Sequence, residues 1–547
     1  MNILVTHGYL LSGTGSNIYV QNLSRTLVSK GHNVFLLCQD PNVGALDFVN
    51  ESFRFSTKNQ GFELKEKSTT TYPGDCKTFI PDIRGFLPVY AFDPYPGFKV
   101  KTFPDCTEEE IETYVAANKV AIESVLRQFS IDVIQTNHAI MFPYIVSLIP
   151  TSRRPPHFIK VHGSALNLSV RTQKRLVPYA ISGFESATNI FVNSEHAYNE
   201  LARFLKDENR NRLIRSVHVI PAGVNVTQFP FSPNKEIALD RCITFANDLS
   251  GKKGGRSPEI TRGYWQRWRD EEVPTVEVIQ KLRDSYDYRR PDENVPEILK
   301  GIAWKECPVI YFIGKYLWTK GIQLLLLAAP IILAKKPHAQ FLFTGFGPFR
   351  EQAEYILQCL AAGNLQTLLD DKECLVDDWG NPLPYFKENL TSLWPVLERA
   401  LPEVGDRLLK NTSFTGIMSH EEIKHILPAV DVLVAPSVFP ESFGMVAVEA
   451  MACGIFPVLT YQSSFKEISD ICLRKGEAYG LHMDKVRLDS SASQAIANNI
   501  LALLDFSSPS GSTTYLTELG SALRSIVEQN YSWQAVADHY LRHWGAE

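Results

Sequence analysis

None of the nine cysteines (Cys38, Cys76, Cys106, Cys242, Cys307, Cys359, Cys374, Cys453 and Cys472) stands in C-x-x-C spacing with another. Neither a zinc site nor a disulfide framework is expected, and isolated thiols in odd number fit a reducing cytoplasm. One-sided charge is missing too. The formal net charge is -5 over 547 residues, whereas a nucleic-acid partner calls for a concentrated basic surface. The most apolar run, Gly321 to Ala334, is too short to span a bilayer and contains Gln323 and Pro330. Met1 to Gly8 has neither the basic region nor the small-residue cleavage pattern of a signal peptide. Solenoid repeats and low-complexity tracts are absent from the sequence. What is present, 44% apolar and 21% charged residues, is the composition of a globular enzyme. Its length suggests two or three domains.

The opening reads as a βαβ unit. Asn2-Ile-Leu-Val-Thr is a short apolar run, Tyr9 to Ser16 a loop punctuated by Gly13 and Gly15, and Ile18, Val20, Leu23, Leu27 and Val28 a helical stripe ended by Gly31. Asn33-Val-Phe-Leu-Leu-Cys is the next strand, and others are expected at Val133, Phe158, Asn189 and Val217. A second alternating series starts at Val309-Ile-Tyr-Phe-Ile-Gly and continues through strands at Gln340, Asp431 and Phe456. Two such series in one chain predict two doubly wound parallel sheets. The expected layout is an N-terminal domain over 1–235, a charged insertion or linker over 236–306, a C-terminal domain over 307–525, and a terminal helix over 526–547. Pro- and Gly-rich 51–107 is expected to be irregular, and 370–410 to be a further insertion.

The residues that carry chemistry fall in four places. In Pro436-Ser-Val-Phe-Pro-Glu-Ser-Phe-Gly-Met-Val-Ala-Val-Glu, a strand ends near Ala435 and a helix is expected from about Phe443. Glu441 then precedes a helix N-terminus at the carboxyl end of a parallel strand, where open α/β sheets bind ligands. Glu449 follows eight residues on, a rise of roughly 12 Å if all were helical. The amides of Ser442, Phe443 and Gly444 between them would favour a diphosphate. In Gly314-Lys-Tyr-Leu-Trp-Thr-Lys-Gly321, Lys315 and Lys320 follow a strand and can neutralise charge on a departing diphosphate. Ser12-Gly-Thr-Gly-Ser-Asn lets backbone approach a phosphate, with Gly15 the candidate. His162, in Lys160-Val-His-Gly-Ser164, follows a strand and is expected at the sheet's carboxyl edge, as is His138 after Thr136.

The Glu441-x7-Glu449 pattern, with Asp431-Val-Leu-Val-Ala-Pro-Ser before it and Ala450-Met-Ala-Cys-Gly after it, resembles the signature of family 4 retaining glycosyltransferases of the GT-B fold. Asn193-Ser-Glu195, Ile220-Pro-Ala-Gly-Val-Asn225, Phe414-Thr-Gly416 and the terminal Tyr531-Ser-Trp run are similar to that family in the same order. The resemblance implies two Rossmann-like domains facing a central cleft. It implies that Glu441 holds sugar hydroxyls, Glu449 grips the ribose diol, and His162 sits beside the anomeric carbon. Catalytic roles are thus expected for His162, Glu441 and Lys320; donor binding for Gly15, Lys315, Lys320, Glu441, Ser442, Phe443, Gly444 and Glu449; and acceptor binding for His138. Lys315 departs from the family, which has Arg there, and loses the bidentate fork. Phe346 in Gly345-Phe-Gly-Pro348 replaces the usual polar residue.

The expected reaction is retaining transfer from a UDP- or GDP-linked sugar to a hydroxyl acceptor, with no metal or other cofactor, because no Asp-x-Asp ends a strand. A sugar phosphorylase, a nucleotide-sugar epimerase, an NAD-dependent oxidoreductase using Gly13-x-Gly15 and Asp40, and a non-catalytic sugar-binding protein are the alternatives. Arg171, Lys174, Arg175, Arg203 and Lys206 leave room for peripheral contact with an anionic membrane or a phosphorylated acceptor, although a solvated helical face is the better explanation of them. The insertions leave room for a homo-oligomer.

Overall fold

A computed structural model describes residues 1–13, 15–56, 61–90, 95, 97–251, 254–271, 273–506 and 514–545. Thr14 of the glycine loop and the Lys252-Lys253 pair of the charged segment lie outside the described residues. The chain divides into two compact units, Met1–Gly223 with Asn530–Glu547, and Val224–Gln529.

The first unit carries β1 (Asn2–Thr6), β2 (Asn33–Leu37), β3 (Glu51–Ser56), β4 (Gly61–Lys67), β5 (Cys76–Ile80), β6 (Phe86–Val89), β7 (Lys99–Thr102), β8 (Val133–Asn137), β9 (His157–Lys160), β10 (Asn189–Val192) and β11 (Val217–Val219). Among the described residues, nine of these form one sheet, in the order β11-β10-β9-β8-β1-β2-β5-β3-β4, with β6 and β7 a separate parallel pair. Every ladder of the large sheet is parallel except β3 with β4. Ile3, Leu4 and Val5 are fully buried, as a central parallel strand covered on both faces requires. Strand order reverses between β1 and β8, which makes that pair the switch point of the unit. The terminal helix Trp533–Trp544 belongs here: the Tyr540 hydroxyl meets that of Tyr19 at 2.6 Å, and the Trp533 ring packs on Tyr19.

The second unit carries β12 (Val309–Ile313), β13 (Gln340–Thr344), β14 (Thr412–Phe414), β15 (Val432–Ala435) and β16 (Pro457–Leu459). They form a five-stranded parallel sheet ordered β14-β13-β12-β15-β16. This is the 3-2-1-4-5 order of a Rossmann-like sheet, with its switch point between β12 and β15. The helix Ile322–Lys335 is buried nearly all round and packs between the helices Phe386–Lys410 and Ala492–Asp505. Leu324 to Leu327 are each at most 1% exposed, and each full burial contributes about 1.5–3 kcal/mol.

Three segments differ from the sequence expectation. The 51–107 stretch is not irregular: β3 and β5 extend the main sheet, because their apolar residues Phe53 and Phe79 stack on each other and pack into its core. The 236–306 stretch is not a linker. It forms the helices Lys235–Asp248, Pro258–Asp270, Thr275–Asp284 and Val295–Gly301 inside the second unit. Buried Arg256 fastens it to Glu351 at 2.8 Å and to Glu354 at 2.5 Å, while Arg350 closes on Asp292. The 370–410 stretch ends in the 25-residue helix Phe386–Lys410, whose buried stripe makes it part of the unit's body. The units part at Val224 rather than near 236, since Phe229 is buried in the second unit and its carbonyl accepts from Arg524 Nη1 at 2.7 Å.

Candidate functional site

In the second unit the loops after β12 and β15 flank the switch point, where an open α/β sheet binds its ligand. The first is compressed against its neighbours by glycine. Gly321 has φ 71°, and a Cβ there would lie 1.8 Å from the Pro436 carbonyl oxygen. The two loops are therefore in backbone contact, and Val438 N–H donates to the Thr319 carbonyl at 2.9 Å. This close approach brings together two residues 121 positions apart: Lys320 Nζ lies 2.5 Å from Glu441 Oε1. Ser437 Oγ donates to the same oxygen at 2.6 Å, the Glu441 amide donates to Ser463 Oγ at 2.9 Å, and Ser464 Oγ donates to the Glu441 carbonyl at 2.9 Å. Glu441 is thus held at side chain, amide and carbonyl, yet its side chain stays 18% exposed.

The helix after this loop runs Met445–Ala452, two residues later than expected at its start. Gly444 is its N-cap with φ 86°, and a Cβ there would sit 2.1 Å from the Phe465 ring. Ser442 and Phe443 lie in the loop rather than the helix. Glu449, inside the helix, is buried at 8% exposure, and its Oε1 lies 3.5 Å from His420 Nε2. Hydrogen bonding to Glu449 holds the His420 imidazole above its ordinary pKa, outweighing burial, which acts the other way. Lys315 is exposed, and its Nζ lies 5.8 Å from the Phe346 ring centre. It is not brought into the Lys320–Glu441 pair.

In the first unit, His7, His138 and His162 follow β1, β8 and β9 and gather at the carboxyl edge of the switch point. The His7 and His138 rings stack at 5.6 Å, and those of His138 and His162 meet at 4.8 Å. His162 Nε2 lies 3.1 Å from Asn137 Oδ1, whose amide nitrogen donates to the Thr6 carbonyl at 3.0 Å. With the Asn137 amide oriented in this way, its oxygen faces His162, so Nε2 is the protonated nitrogen. The same device repeats at His7, whose Nε2 lies 2.9 Å from Asn17 Oδ1, while Asn17 Nδ2 donates to the Ser12 carbonyl at 2.6 Å. Burial lowers all three imidazoles, His7 to about 4 and the other two well below the ordinary histidine value, so they are neutral near pH 7. Gly15 is the first residue of the helix Gly15–Ser29.

Sequence reasoning missed His7, Asn17, Asn137, Ser437, Ser463 and His420. His7 was open to the argument that selected His162, since both directly follow a strand. The two asparagines and His420 have no signal short of the fold.

The basic residues after His162 are largely matched by acid. Arg171 and Arg203 both pair with Glu200, and Arg175 pairs with Glu108 at 2.7 Å. No helix among the described residues is long and apolar enough to cross a membrane.

Residues 405–504 match the family model for glycosyl transferases group 1. A phosphatidyl-myo-inositol mannosyltransferase of Mycobacterium tuberculosis is 29% identical over 136 residues, which make up 25% of this chain and 32% of that protein. The match therefore spans about a third of the length of the curated relatives. Among solved structures, Anabaena HepE in complex with UDP is similar at a TM-score of 0.53 and 15% identity, with both chains covered in full. The sucrose-phosphate synthase of Thermosynechococcus elongatus is similar at 0.50 and 16%, again with both chains fully covered. These likenesses show the fold, GT-B, with its two Rossmann-like units.

Proposed function

We propose that the chain is a retaining glycosyltransferase that moves a sugar from a nucleoside diphosphate to an acceptor hydroxyl. One observation carries this reading: Lys320 and Glu441 converge at the switch point of the second unit, directly before the helix Met445–Ala452. That helix lies within the segment matching the glycosyl transferase model. HepE, of the same fold, is solved with UDP and with UDP-glucose, which supports a UDP- or GDP-linked donor here.

In the proposed reaction, Glu449 accepts hydrogen bonds from the ribose diol and Glu441 from the donor sugar. The main chain at Ser442, Phe443 and Gly444, with Lys315 and Lys320, faces the diphosphate. As the bond from the anomeric carbon to phosphate oxygen breaks, negative charge grows on the diphosphate, and the two ammonium groups stabilise it. The acceptor oxygen bonds to the anomeric carbon on the same face, and its proton passes to the departing phosphate oxygen. Neutral His162 donates from Nε2 to Asn137, which leaves the Nδ1 lone pair to accept from a sugar hydroxyl. No divalent ion is assigned a step, and residence in the cytoplasm belongs to the same proposal. With Arg171, Arg175 and Arg203 paired to acids, a solvated face is favoured over lipid contact.

Thermal shift with UDP, GDP, ADP and their sugars tests the donor side, because a ligand at a hundredfold its Kd stabilises by about 2.7 kcal/mol. Release of nucleoside diphosphate from labelled donors, with and without inorganic phosphate, separates transfer from phosphorolysis. No shift with any nucleotide would overturn the reading.

A further inference from the structure

At the switch point of the first unit, His138 carries two polar atoms that nothing around it satisfies. It is 1% exposed, and neither Nδ1 nor Nε2 has a hydrogen-bond partner. His7 and His162 each hold one bond to an asparagine, and the Tyr90 hydroxyl donates to the Ile140 carbonyl, while His7 Nδ1 and the Tyr9 hydroxyl beside them are single buried atoms without a partner. Buried polar side chains are paired in the great majority of cases. His138 also has φ 72°, a left-handed conformation uncommon outside glycine that clusters at ligand-binding positions. Two exceptional properties thus fall on one residue, at the point of the sheet where a ligand is expected.

The surroundings define what such a ligand is. Tyr90 and Tyr9 bring their rings to 4.4 and 5.7 Å from the His138 ring and lie edge to face with each other at 5.5 Å. Aromatic walls of this kind suit the apolar C–H face of a ring compound. The segments after β1, β8 and β9 bring no exposed cation: Gly8–Asn17, Asn137–Val146 and Val161–Leu166 contain no lysine or arginine, while Arg84, Lys99 and Lys101 stand in the segment that carries Tyr90, Lys101 being paired with Glu110. Lys160 is fully buried, and its Nζ donates to the Val192 carbonyl at 3.2 Å and to the Ile220 carbonyl. An acceptor phosphate would need an arginine fork or an accessible ammonium. Imidazole without charge instead offers one donor and one acceptor, which is what a hydroxyl pair needs.

We propose that His138, walled by Tyr9 and Tyr90, binds an uncharged polyhydroxylated ring, so that the acceptor is a saccharide or cyclitol without phosphate at its bound end. This rests on the glycosyltransferase reading.

The test uses the full chain with the nucleotide sugar that gives the largest thermal shift. Methyl α-D-glucopyranoside and methyl α-D-mannopyranoside are compared with glucose 6-phosphate and mannose 6-phosphate as acceptors. The expected result is saturable transfer to an uncharged pyranoside, at a kcat/KM at least tenfold above its phosphorylated counterpart. His138→Asn, which tolerates the left-handed backbone, should raise the acceptor KM at least tenfold. Titration with nucleoside diphosphate reads the donor side of that variant separately, and its circular dichroism reports folding. Preference for the phosphorylated sugars, transfer to neither pair, or an unchanged acceptor KM in His138→Asn overturns the acceptor proposal while diphosphate binding persists. Loss of diphosphate binding in the wild-type chain sinks the parent reading as well.

Discussion

Lys320 Nζ and Glu441 Oε1 lie 2.5 Å apart, although 121 positions separate the residues in sequence. A cation assigned to the diphosphate and a carboxylate assigned to the sugar therefore fix each other's position. Replacing either partner misplaces the other. Lys320→Gln and Glu441→Gln are each expected to lower kcat/KM about 100-fold, in the range of lost transition-state donors. The double variant should lose much less than the product of the two, because contacting residues are not additive. Steady-state kinetics on all four proteins checks this; fully multiplicative losses contradict it.

Glu449 and His162 should separate binding from turnover. Glu449→Ala removes a charged acceptor of two hydrogen bonds and is expected to raise the donor KM at least tenfold, since such bonds contribute about 1.5–3 kcal/mol. His162→Ala should lower kcat at least tenfold with less than a threefold change in donor KM. An unchanged donor KM in Glu449→Ala removes that residue from the ribose.

The histidine cluster makes stability depend on acid. Burial lowers the pKa of His7 from 6.5 to about 4 in the folded chain, so as the pH falls the unfolded chain takes up the proton first. The stability tied to a neutral His7 is complete above pH 6.5 and drains away as the pH falls towards 4. At about 1.4 kcal/mol per pH unit, His7 alone removes about 2 kcal/mol by pH 5. Urea unfolding at pH 7.5 and 5.0 should show a loss at least this large, and His7→Gln should reduce it by about 2 kcal/mol, His138 and His162 keeping their own shares. An equal slope in the variant excludes His7 as its source.

Gly444→Ala places a methyl group 2.1 Å from the Phe465 ring and a side chain on a backbone with φ 86°. Left-handed strain costs about 1–2 kcal/mol, and overpacking typically adds 1–3. A loss of about 2–5 kcal/mol is expected by denaturant unfolding, with nucleotide affinity reduced. A variant that unfolds with the wild type argues that the helix start can shift.

Much of the framework was legible because parallel strands buried on both faces read as unbroken apolar runs, as at Ile3-Leu-Val and Val432-Leu-Val. Glu441 and Lys320 were each legible as motif residues. Their contact was not, since it depends on Gly321 admitting the Pro436 carbonyl. The body of the second unit extends into 370–410, expected as an insertion: the helix Phe386–Lys410 runs through Pro395 and Pro402, carried by the buried stripe Leu390, Leu393, Leu397, Leu401 and Leu408. In 236–306 the charges suggest an insertion or linker, whereas Arg256 is 2% exposed and neutralised by two glutamates from a helix about 95 positions away.

The chain begins and finishes the first unit on either side of the second, with Tyr540 closing on Tyr19. During synthesis on the ribosome, Met1–Gly223 is made first yet stays incomplete while all of Val224–Gln529 is added. Its Tyr19 and Gly223 surfaces lie uncovered until the helix bearing Trp533 leaves the exit tunnel and packs on them.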